Sequence, residues 1–130
     1  MNGLQRWHDF ISSPNPNPDM LDDLLAEDCV FHSPIVHTPQ EGRAITKLYL
    51  SAAGEVLGGD SFHYVREVVD GNQAVLEFRC ENDGIGINGV DMITFNDAGQ
   101  ITDFKVMVRP LKAINLVHAQ MKQMLEQMAS

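Results

Sequence analysis

The chain has 130 residues, enough for a single domain on one core, and its 44% hydrophobic and 21% charged residues are those of a globular protein. Eighteen acids against nine Lys and Arg leave a formal charge of −9, which repels phosphate and excludes nucleic acid as the expected partner. No apolar run approaches the roughly 20 residues of a membrane span, and MNGLQRWHDF has no apolar signal core, so a cytoplasmic protein without a membrane partner is expected.

In chain order, Leu4, Trp7, Phe10 and Ile11 fall at helical spacing and predict a short amphipathic helix. SSPNPNP, residues 12–18, must break it, because proline cannot continue a helix interior. Asp19 is then placed to cap a second helix, with Asp22 in its first turn and Met20, Leu21, Leu24 and Leu25 on its apolar face. Residues 29–31 read as a short strand that Ser33-Pro34 ends. A polar loop over 37–42 leads to a third helix over 44–57, whose Ile45, Leu48, Tyr49, Ala52, Ala53, Val56 and Leu57 recur with a 3.6-residue period. Gly58-Gly59 stops it. Strands follow over 62–69 and 74–80, joined by Asp70-Gly71-Asn72. In the second, Leu76, Phe78 and Cys80 point one way and Val75, Glu77 and Arg79 the other.

Two β-rich runs, 90–95 and 101–108, are joined by Asn96-Asp97-Ala98-Gly99, residue types that bond the local backbone or tolerate positive φ. Gly89 precedes them and marks a bulge or a close approach. A last helix over 111–128 carries Ile114, Val117, Met121, Met124, Leu125 and Met128 as a stripe. Helices early and hairpins late predict an α+β fold, an antiparallel or mixed sheet curled over helices, in one domain spanning 1–130. The outward residues Val75, Val90, Met92 and Met107 form an apolar face that a second copy would cover, so a homodimer through the sheet is expected.

Asp91 stands alone among Val90, Met92, Ile93 and Phe95, and an acid amid strand apolars needs a partner, a proton or a cavity. It reads either as a pocket acid or as a carboxylate paired with Arg79 or Arg109. His32, His37 and His63 read as a pocket base or metal cluster, or else as ordinary polar histidines. They lack metal-ligand spacing and no HExxH occurs, so no metal is expected. Gly84-Ile85-Gly86 is not a phosphate loop, and no cofactor is expected. Tyr49 and Tyr64 read as core hydroxyls that find a partner. Cys29 and Cys80 lack CxxC spacing and read as buried, reduced thiols.

The order of elements, with LDDLLAEDCVFHSP, the EGRAITKLYL helix and VDMITFNDAGQITDFKVMVRP, resembles the nuclear transport factor 2-like superfamily, which includes SnoaL-like polyketide cyclases and ketosteroid isomerases. The resemblance implies a cone-shaped, cystatin-like fold with an extra C-terminal helix and an apolar pocket. It implies pocket positions for Trp7, Phe10, Phe31 and Ser33, and for Tyr49, Phe78, Ile93 and Phe104, and makes His37, in the loop that rims the family's pocket, the candidate general base. It also implies a small apolar carbonyl compound as ligand, handled without a cofactor by isomerase, cyclase or hydratase chemistry, or else a plain binding or assembly module. In ketosteroid isomerases a carboxylate base, a protonated acid and a tyrosine share the work. By position Asp91 takes the place of the protonated acid, Ser33 that of the base and Trp7 that of the tyrosine. Serine is no base unaided and indole only donates a hydrogen bond. Two of the three roles are therefore unfilled, which argues against steroid isomerisation.

Overall fold

The computed structural model describes residues 3–13 and 17–129. The elements run α1 (Gly3–Ser12), α2 (Met20–Leu24), β1 (Leu25–His32), β2 (Gln40–Glu41), α3 (Arg43–Leu57), β3 (His63–Asp70), β4 (Gln73–Asn82), β5 (Ile85–Phe95), β6 (Ile101–Arg109) and α4 (Leu111–Ala129). The strands form one curved, unclosed mixed sheet in the order β2-β1-β6-β5-β4-β3. All neighbours are antiparallel except β1 and β6, which run parallel.

The β5–β6 turn forms as its residue types demand. Gly99 N–H donates to the Asn96 carbonyl at 2.9 Å, Asn96 Oδ1 accepts from the N–H groups of Ala98 and Gln100, and Gly99 takes φ 79°. Gly89 is a close approach and not a bulge, since the β4–β5 register runs unbroken through it. A Cβ there would lie 2.4 Å from the Phe78 ring, so the missing side chain makes room for that ring to lie across the strand.

The N-terminal half departs from expectation in two places. Asp19 makes no capping side-chain bond; it reaches across to Lys47, with Oδ1 3.3 Å from Nζ. The second helix has only five residues, and Leu25, expected on its face, already has extended backbone and opens an eight-residue strand. Consecutive Leu24-Leu25 satisfy either period, and pairing with β6 decides for the strand. Helix α1 ends at Ser12, before the proline segment, of which Pro14 and Pro16 lie outside the described residues.

Helices α1, α2, α3 and α4 cover the inner face of the sheet over a core that includes Trp7, Leu21, Phe31, Leu76, Phe78, Ile93, Phe104 and Val117. Asn82, at the end of β4, pins α4 to the rest. Its amide N–H group donates to Gln120 Oε1 at 2.7 Å and to the Val56 carbonyl at 2.8 Å, while Gln120 Nε2–H donates back to Asn82 Oδ1 at 3.2 Å. Cys29 and Cys80 are buried and unbridged, and burial pushes both thiols up. Among the described residues no helix is long and apolar enough to cross a membrane.

Candidate functional site

Strand β5 alternates cleanly, placing Ile87, Asp91, Ile93 and Phe95 on the inner face. Asp91 is 6% exposed, flanked by Leu76 on β4 and Val106 on β6. Its partner comes from two strands away. The β3–β4 register shifts between Tyr64 and Arg66, and Tyr64 is the one β3 residue that is not exposed. Tyr64 O–H donates to Asp91 Oδ2 at 2.6 Å, and Trp7 Nε1–H donates to Tyr64 Oη at 3.0 Å. Trp7 is itself held by Phe104, edge-on with ring centroids 4.9 Å apart.

Burial pushes the Asp91 carboxyl up to about 7, and the Tyr64 hydrogen bond offsets this only in part. Burial, then the Asp91 charge, push the Tyr64 phenol far above its ordinary value, so it stays a neutral donor. Near neutral pH the carboxyl can therefore take up or release a proton, while the phenol and indole orient it.

A cavity of about 200 Å³ opens between the end of β1, α3 and α4. Phe31, Ser33, Pro34, Ile35 and Val36 form one wall, and Tyr49, Ala53 and Leu57 of α3 form another. Val106 lines it from the sheet and Val117, His118, Met121, Lys122 and Leu125 from α4, with the exposed His118 and Lys122 at its solvent side. Val106 therefore faces the cavity while standing opposite Asp91 in the β-ladder. Phe31 lines the cavity, with its ring 6.1 Å from that of Phe104. Asp91 is not among the residues that line the cavity, and the lining on its side is the apolar Val106.

The residues expected at a pocket divide into four groups. Phe31, Ser33 and Tyr49 line the cavity, and Trp7 and Asp91 meet through Tyr64, with Phe104 against Trp7. Phe10, Phe78 and Ile93 are buried in the core and are not among the cavity-lining residues. His37 is exposed on the β1–β2 loop and does not line the cavity. Ser33 Oγ accepts N–H groups from Ile35 at 3.0 Å and Val36 at 3.4 Å, so it shapes the cavity rim. His32 Nε2 lies 2.8 Å from Asp103 Oδ1 and ties β1 to β6.

The ion pair considered for Asp91 does not form. Arg79 and Arg109 are exposed, Arg79 at the outward parity of β4, while Asp91 points inward. A phenol does reach Asp91: Tyr64 comes from β3, and the Trp7 indole donates to its oxygen. His118 and Lys122 went unnoticed in the sequence, where only the apolar stripe between them carries a signal. Among the described residues no cluster of His, Cys, Asp or Glu is arranged to hold a metal ion.

The profile of the SnoaL-like domain family matches residues 4–104. A steroid delta-isomerase from Pseudomonas aeruginosa superposes with TM-score 0.89 at 33% identity, covering 98% of this chain and 93% of that one. A conserved bacterial protein with a cystatin-like fold from Silicibacter pomeroyi superposes with TM-score 0.84 at 30% identity, over 93% and 83% of the two chains. An NTF2-like protein of unknown function from Mesorhizobium loti shares the fold, with TM-score 0.70 and 23% identity over 84% and 89%. No curated protein matches the sequence.

Proposed function

This chain belongs to the SnoaL-like domain family, and from that premise we propose that it binds a small, largely apolar carbonyl compound in the α3–α4 cavity and moves a proton on it without a cofactor. Two observations carry the reading: the buried Asp91–Tyr64–Trp7 chain, and an apolar cavity lined by Val106, the ladder partner of Asp91. Asp91 would exchange the proton, which requires the ligand or a single relaying water to pass Val106, and Tyr64 would hold the carboxyl in place. Isomerase, cyclase and hydratase reactions share that step.

About 200 Å³ is below the ~300–1,000 Å³ of sites for drug-sized ligands, which favours a substrate smaller than a steroid. The serine in the place of a carboxylate base is also committed to the loop turn. Both points separate this site from the activity named for the Pseudomonas relative.

Cyclohexanone in deuterated water provides the test. We expect it to shift amide resonances of Tyr49, Leu57 and Val106 and to exchange its α-hydrogens faster with protein than without. Leu57→Trp, which fills the cavity, should abolish both effects. No shift at the lining residues would defeat the reading. Binding without exchange would favour non-catalytic ligand binding, a second reading prompted by the absence of Asp91 from the cavity lining.

We also propose that the protein is a homodimer through the outer sheet face. Val68, Val75 and Met92 stand side by side on β3, β4 and β5, and Val90 stands opposite Met107. Val68, Val75 and Met107 are 55%, 39% and 51% exposed in the single chain, an apolar surface that a second copy would cover. Met92→Lys should shift sedimentation toward monomer, and a wild type already monomeric at micromolar concentration would defeat the claim.

A further inference from the structure

The mouth of the α3–α4 cavity is charged in one sense only. Its lining is apolar apart from Ser33, Tyr49, His118 and Lys122, and it includes no Asp or Glu. His118 and Lys122 stand one helical turn apart on α4, on the side that presents Val117, Met121 and Leu125 to the cavity. This arrangement occurs in a chain with eighteen acids and nine Lys and Arg, where a lysine readily finds a carboxylate. Lys47 does so, with Asp19 and Asp22 within 3.3 Å, and Arg66 lies 3.6 Å from Glu77. Lys122 has no acidic partner among the described residues.

We infer that the ligand of this cavity is a small organic carboxylate, its apolar body inside and its carboxylate at the mouth on Lys122 and His118. The inference rests on the reading that the cavity is the binding site, and it adds the chemical class of the ligand's exposed end. A lysine stem lies along apolar surface while its ammonium reaches water, so one side chain can cover the ligand's tail and meet its charge. One ammonium and one imidazole match a monoanion. The protein's net charge of −9 disfavours a phosphate dianion. The Tyr49 hydroxyl, which makes no hydrogen bond among the described residues, is available to a second oxygen on the same molecule.

The test compares hexanoate with hexan-1-ol, equal in chain length and different in charge, by calorimetric titration of wild type, Lys122→Met and Lys122→Arg. We expect hexanoate to bind wild type more tightly than hexan-1-ol. Lys122→Met should weaken hexanoate by about tenfold or more, equivalent to about 1.4 kcal/mol, leave hexan-1-ol unchanged, and be rescued by Lys122→Arg. Hexan-1-ol binding as well as hexanoate would overturn the inference while leaving the cavity as a binding site. Equal loss of both ligands in Lys122→Met would assign the effect to packing and overturn it too. If neither ligand binds wild type, both the inference and the cavity reading fall.

Discussion

Asp91→Asn is expected to make the protein more stable at pH 8 and to abolish ketone α-exchange. The Asp91 carboxyl ionises at 3.8 in the ordinary case and at about 7 in the folded chain, because burial disfavours its charge. Well below pH 3.8 folded and unfolded chains both hold the proton and the group makes no difference. As pH rises from 4 to about 7 the unfolded chain releases it and the folded chain does not, so stability falls. Above about 7 the deficit is constant, at a few kcal/mol. Asparagine removes that deficit and can still accept from Tyr64, but its buried amide N–H groups need partners, at a cost of ~1–3 kcal/mol. The net gain at pH 8 is about 1–3 kcal/mol, or a Tm higher by several degrees, turning to a small loss at pH 4. Thermal melts of both proteins across this range check it. A stability difference that does not change with pH would mean that Asp91 is ionised throughout.

Phe104→Ala is expected to cost about 3–5 kcal/mol, a large share of the ~5–15 kcal/mol that holds a typical domain together. Phe104 is 1% exposed, edge-on to Trp7 and stacked near Phe31, so its removal leaves a void in the most aromatic part of the core. That void would lie between the cavity and the Asp91–Tyr64–Trp7 chain. Water entering it would resolvate the carboxyl and pull its ionisation back toward the ordinary range. Phe104→Leu should cost less and leave the ionisation near 7. Urea denaturation, with carboxyl NMR titration of Asp91, reads both effects. A large loss of stability with Asp91 still titrating near 7 would show that Phe104 does not shield it.

Local chemistry was legible in the sequence wherever it acts locally. The Asn96–Gly99 turn, the α3 stripe and the inward parity of Asp91 need only neighbours a few residues away. The Asp91–Tyr64 pair depends on something else. Whether the phenol reaches the carboxyl depends on the register of β3 against β4, and an irregularity beside Val65 sets that register. The sequence pattern of β3 shows only partial alternation and says nothing of the shift. Leu24-Leu25 fits a helix face or a strand, and parallel pairing with β6, some 75 residues away, decides between them. The mouth of the cavity was illegible for a similar reason. The α4 stripe shows that the helix is buried on one side, but not that Lys122 and His118 would border a cavity against the Phe31–Val36 segment.

The Asn82–Gln120 pair has a consequence for how this protein answers its surroundings. Two carboxamides exchanging hydrogen bonds carry no net charge and do not titrate between pH 2 and 12. Added salt screens charges and leaves such a pair almost untouched. The carboxamide exchange is therefore indifferent to acidity and ionic strength, apart from the 3.3 Å hydrogen bond that Gln120 Nε2–H also donates to the exposed Asp83 carboxylate, whereas Asp91 in the core and Lys122 on the cavity lining respond to one or the other. The fold separates the two duties: neutral amides keep the cover in place, and ionisable groups are left to respond to what it covers.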